Sequence, residues 1–106
     1  MTASETLEGL RASRFFESWD GSIAPEHIEA SEGILCRLID DLIALGPDRT
    51  EDATRRVVEA CVQRFNEIDD GWICTIERED IYEQVGRVVD VCGFEYDEDW
   101  LDGRDW

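Results

Sequence analysis

The stretch that decides the fold runs from residue 25 to residue 47, PEHIEASEGILCRLIDDLIALGP. Ile28, Ser31, Leu35, Leu38, Leu42 and Leu45 recur every three or four residues, the repeat of one face of an α-helix. Ile34, Ile39 and Ile43 widen that face, and so broad an apolar stripe needs cover on more than one side. Pro25 suits a first helical turn, and Gly46-Pro47 is a stop signal. A helix over 25–45 is expected, with other helices packed around it.

The flanking segments supply candidates. Upstream, Leu7, Leu10, Phe15, Phe16 and Trp19 carry a loosely helical spacing over residues 4–19. Asp20-Gly21-Ser22 then turns the chain. Downstream, DRTE at 48–51 offers a capping box between Asp48 and Glu51. A third helix over 49–68 follows, with Ala53, Val57, Cys61, Phe65 and Ile68 on one face. Asp69-Asp70-Gly71 ends it. The short run WICTI, Trp72 to Ile76, has no obvious strand partner and reads as a buried connection. Thr75 is the expected N-cap of a last helix over 76–92, whose stripe is Ile81, Val85, Val88 and Cys92. Glu77, Glu79 and Asp80 crowd its first turn, where the helix dipole favours negative charge. Gly93 suits the position just past the helix end. Gly86 costs about 1 kcal/mol against alanine inside a helix; it either permits close helix contact or is simply tolerated there. The whole reads as one all-α domain over 1–106, an antiparallel bundle of three to four helices with an acidic, aromatic-containing tail at 95–106.

Charge narrows the function. The chain has 106 residues, ten basic and 27 acidic, for a formal net charge of −17. All the basic residues are arginine. Such a balance repels nucleic acid and anionic membrane, and it attracts basic partners. The N-terminus lacks the basic start and apolar run of a secretory signal, and no stretch is long and apolar enough to span a bilayer. A cytoplasmic protein is expected, with Cys36, Cys61, Cys74 and Cys92 as free thiols.

No catalytic constellation emerges. The single histidine, His27, has no second imidazole for a zinc set. It is also the sole candidate base for a cysteine nucleophile. In the tail, Asp97, Asp99 and Asp102-Gly103 look like a calcium loop, but the register fails: counted from Asp97, position 5 is Leu101 and position 6 is Asp102. No phosphate-binding glycine loop occurs. The expectation is therefore a non-enzyme with no cofactor and no metal.

What stands out is carboxylates set among aromatics. From Glu95 to Trp106, six of the twelve residues are acidic, and Tyr96, Trp100 and Trp106 lie among them. Tryptophan and tyrosine anchor protein interfaces, and neighbouring carboxylates select a basic partner. The candidate partner-binding residues are Asp97, Glu98, Asp99, Trp100, Asp102, Asp105 and Trp106, with Asp69, Asp70 and Trp72 as a second group. Trp100 is expected to pack on the bundle, and Trp106 to face the partner together with the carboxylates.

The stretch RFNEIDDGWICTIEREDIYEQVGRVVDVCGFE (64–95), followed by an acidic end finishing in RDW, resembles the C-terminal half of small acidic helical immunity proteins of bacterial toxin systems. The resemblance implies an inhibitor that masks a cognate toxin, commonly a basic nuclease or another enzyme of nucleic acids or cofactors. Two alternatives stand beside it. One is an acidic DNA mimic that blocks a nucleic-acid-binding protein. The other is a structural or regulatory homodimer, paired through the apolar face of 28–45.

Overall fold

The computed structural model describes residues 2–106. Four α-helices form the bundle: α1 Ala3–Arg11, α2 Pro25–Leu45, α3 Glu51–Ile68 and α4 Thr75–Val91. Short 3-10 turns at Glu17–Trp19 and Glu98–Leu101 follow α1 and α4. No strand occurs among the described residues.

The helix at the centre of the sequence is also at the centre of the fold. Pro25 opens α2, and Gly46, with φ +77°, closes it in a conformation that disfavours any residue with a Cβ. Ile28, Ile34, Leu35, Leu38, Ile39 and Leu42 are buried. α2 packs on α3 on one side and on α1 on the other, and α1 also touches α4. The broad face of α2 is thus covered within the chain. A homodimer paired through that face would have to compete with these contacts within the chain. Among the described residues Ile76 is the exposed large hydrophobic side chain.

The N-terminal block departs from a single helix over 4–19. α1 ends at Arg11, and residues 12–16 are a loop held by a distant carboxylate. Glu32 of α2 accepts hydrogen bonds from the backbone N–H of Phe15 (2.9 Å) and of Phe16 (3.0 Å). These bonds satisfy amides that a continuous helix would have spent on its own carbonyls. Phe16 and Trp19 then stack at 4.1 Å in the core. The Trp19 indole N–H donates to Asp80 of α4 at 2.8 Å, which ties the block to the far end of the sequence.

Two caps also differ from expectation. α3 is capped by Thr50, whose Oγ1 accepts from the Ala53 N–H at 3.1 Å, and not by Asp48. α4 is capped by Cys74, not by Thr75. The Glu77 carboxylate returns to the Cys74 N–H at 2.9 Å. The connection before α4 buries Ile73 and half-buries Trp72, as the apolar run predicts, but Ile76 points out from the first turn. Cys61 is fully buried in the core, and Cys92 is half-buried.

Candidate protein-binding surface

The tail is an ordered strap. Gly93, with φ +85°, reverses the chain after α4. Tyr96 then lies flat over Gly86, with ring carbons 2.7 Å from where a Cβ at that glycine would sit. The Tyr96 hydroxyl donates to the Tyr82 carbonyl at 2.8 Å. Burial pushes the Tyr96 phenol well above its ordinary range, so the hydroxyl stays a donor. The glycine inside α4 is therefore a seat for a tail aromatic.

From there the strap runs along α3. The Asp97 carboxylate caps the 3-10 turn by accepting from the Asp99 N–H at 3.0 Å. Trp100 is buried, with the Arg55 guanidinium 4.3 Å above its ring and Tyr96 at 6.1 Å. A cation over an indole face is attractive through the ring quadrupole. Further along, Asn66 clamps the strap twice. Its amide donates to the Gly103 carbonyl at 2.9 Å, and its oxygen accepts from the Asp105 N–H at 2.9 Å. Arg55 and Asn66 are eleven positions apart, close to three full turns, so they share one face of α3.

Trp106 corrects an expectation. It is buried, 7% exposed, and meets Phe65 edge-on at 5.9 Å. It pins the strap and does not present itself to a partner. Trp100 is buried as expected. What faces solvent is the acids: Asp97, Glu98, Asp99, Asp102 and Asp105 are all exposed. None of these five has an ion-pair partner among the described residues.

The second group is separate in kind. Trp72 is half-buried, donates its indole N–H to the Ile68 carbonyl at 2.9 Å, and meets Trp19 edge-on. His27 stacks on it at 4.5 Å with rings 11° from parallel. The Asp69 carboxylate is occupied in its own turn, accepting from the N–H of Gly71 and of Ile73. Asp70 alone of this group is exposed. The structure thus gathers the strap residues into one feature along α3. Trp72 and Asp69 serve the connection to α4.

Sequence reasoning passed over Glu59 and Gln63 of α3. With Arg55, Arg56, Asp99, Trp100 and Asp102 they line a groove of about 460 Å³ between α3 and the strap. The signal was available in outline. Arg55, Glu59 and Gln63 share the i, i+4, i+8 spacing of one helix face, but nothing local says that the tail lies beside it.

Burial disfavours the thiolate at three of the four cysteines. Burial pushes the Cys61 thiol up to about 12, leaving negligible thiolate near neutral pH. Cys36 and Cys92 are also raised by burial. Among the described residues no group of three or more His, Cys, Asp or Glu side chains is placed to hold a metal ion. No helix there is long and apolar enough to cross a membrane.

The chain matches no protein-family model, no curated protein and no solved structure.

Proposed function

We propose that this protein is a non-catalytic, stoichiometric inhibitor of a basic protein, of the kind represented by immunity proteins of bacterial toxin systems. The observation that carries the reading is the strap: five exposed, unpaired carboxylates held on a framework whose tryptophans are buried. Carboxylates on a mobile tail would lose conformational freedom on binding. Held by Trp100, Asn66 and Trp106, they are already ordered. In the complex they would occupy cations that the partner otherwise offers to an anionic substrate, so inhibition follows from occlusion. The field of −17 charges raises the capture rate of such a partner.

The test couples binding to loss of activity. The tagged protein is used to isolate its tight-binding partner from its own host, and the partner's enzymatic activity is titrated. The expected result is a partner with a basic surface, silenced at one-to-one stoichiometry. Neutralising the strap (Asp97→Asn, Asp99→Asn, Asp102→Asn and Asp105→Asn together) should weaken the complex by about ten-fold or more, from up to about 1 kcal/mol per rim charge. A bound partner that keeps its full activity, or a neutral strap that inhibits as well as the native one, defeats the reading.

A further inference from the structure

Opposite its core face, α4 presents an exposed polar surface. Glu83, Gly86, Arg87 and Asp90 fall at the i, i+3, i+4 and i+7 positions of one helix face. The chain reversal at Gly93 lays Phe94, Glu95 and Tyr96 back beside that face. The result is an open groove of about 600 Å³ between α4 and the first residues of the strap. Its apolar lining is Phe94 and Tyr96, both half-buried, set over a glycine that contributes no side chain. Glu83, Asp90 and Glu95 line the same groove and are exposed, and none has an ion-pair partner among the described residues.

One cation opposes them. Arg87 lies in the groove wall, where its guanidinium donates to the Gln84 side-chain oxygen at 3.1 Å. It stands four residues from Glu83 and three from Asp90, yet it forms an ion pair with neither. The groove therefore keeps an excess of two negative charges over two aromatic rings.

We propose that this groove receives an arginine side chain of the basic partner. The inference rests on the reading of the protein as a binder of a basic protein, and it names a second contact surface in addition to the strap acids along α3. An arginine matches both halves of the groove. Its alkyl stem packs on apolar surface while its head stays polar. Its planar guanidinium forms paired hydrogen bonds to carboxylates and stacks on aromatic rings, where lysine offers only a compact, strongly hydrated charge. A neutral or acidic side chain would leave the three carboxylates unanswered, and an acidic one would be repelled.

The probe is a capped Gly-Arg-Gly peptide, with Gly-citrulline-Gly as its neutral isostere, titrated into the isotopically labelled protein and followed by amide chemical shifts. The arginine peptide should shift Gly86, Asp90, Gly93, Phe94 and Tyr96 saturably, and the citrulline peptide should not. Two variants remove equal charge: Glu83→Gln/Asp90→Asn/Glu95→Gln in the groove, and Asp99→Asn/Asp102→Asn/Asp105→Asn on the strap. The groove variant should lose about ten-fold in affinity and the strap variant less than about three-fold, since a distant surface charge is largely screened. All six positions are exposed, so both variants should fold, which circular dichroism and thermal melts check. Equal losses in the two variants, shifts centred on 97–106, or no saturable shifts overturn the groove assignment. Partner inhibition that survives the groove variant unchanged overturns it as well, while leaving the inhibitor reading in place. Arginine binding in the groove without inhibition of any basic protein removes the inhibitor reading instead.

Discussion

A single methyl group at Gly86 sets two effects against each other. Alanine is favoured over glycine inside a helix by about 1 kcal/mol. A Cβ there, however, would sit 2.7 Å from two ring carbons of Tyr96. Displacing the ring also strains its hydroxyl bond to the Tyr82 carbonyl. Overpacking of this kind costs about 1–3 kcal/mol, so the clash should win. Gly86→Ala is expected to destabilise by about 1 kcal/mol net in chemical denaturation. In a Tyr96→Ala background the same change should become stabilising, because only the propensity remains. A destabilising effect that persists without the ring would mean that the Gly86–Tyr96 contact is not the cause. The sequence showed a costly glycine and an aromatic tail. It did not show that one was the seat of the other. Thr50 and Glu32 make the same point from the other side. Thr50 caps α3 by accepting from the Ala53 N–H, although the box spacing pointed to Asp48 and Glu51. Glu32 reaches across to Phe15 and Phe16, which no local pattern reveals.

At the scale of elements, α2 was legible from end to end. Proline, glycine and an uninterrupted stripe all agreed, and such agreement across signals is what makes a segment readable. The strap was legible in composition but not in posture. Trp106 lies far in sequence from Phe65, its packing partner, and a terminal tryptophan among acids reads as exposed. Its energetic role can be measured. Truncating a buried tryptophan to alanine costs about 3–5 kcal/mol. The Trp106 indole N–H is buried with no hydrogen-bond partner among the described residues, and losing an unsatisfied donor returns about 1–3 kcal/mol. Trp106→Ala should therefore cost about 2 kcal/mol. Trp106→Phe, which keeps a ring against Phe65 and removes the donor, should cost less than about 1 kcal/mol. Amide exchange should report the mechanism: in the alanine variant, Gly103 to Asp105 lose protection while Val58 to Phe65 keep theirs. If exchange quickens equally through α3, the tail is not a separately opening unit but part of one cooperative core.

For the whole molecule, net charge has opposite consequences for folding and for capture. Among the described residues, five of the 27 carboxylates take part in ion pairs: Asp20, Glu32, Asp40, Asp41 and Glu51. The remaining acids mostly repel one another. Salt weakens both the pairs and the repulsion, and the question is which loss matters more. The pairs are at least partly exposed, with side chains 20–61% accessible, and such pairs contribute about 0–1 kcal/mol each. Repulsion acts among far more groups, over a range of about 30 Å at 0.01 M salt and about 10 Å at 0.1 M. The radius of gyration is 13.2 Å, so at low salt nearly every acid feels every other. Stability should therefore rise with salt. A gain of about 1 kcal/mol between 0.01 M and 0.5 M sodium chloride corresponds to a Tm increase of about 4–8 °C for a domain of this size, readable by calorimetry. A falling Tm would show that the arginine pairs, Arg11–Asp40 and Arg14–Asp20 foremost, hold the bundle more strongly than self-repulsion loosens it. Capture of a basic partner should move the other way, its association rate dropping steeply over the same range. On the proposed reading, the carboxylates that cost the free protein stability at low salt are the ones that would draw the partner in. Opposite salt slopes for Tm and for association rate, measured on one preparation, would tie both effects to a single set of unpaired acids.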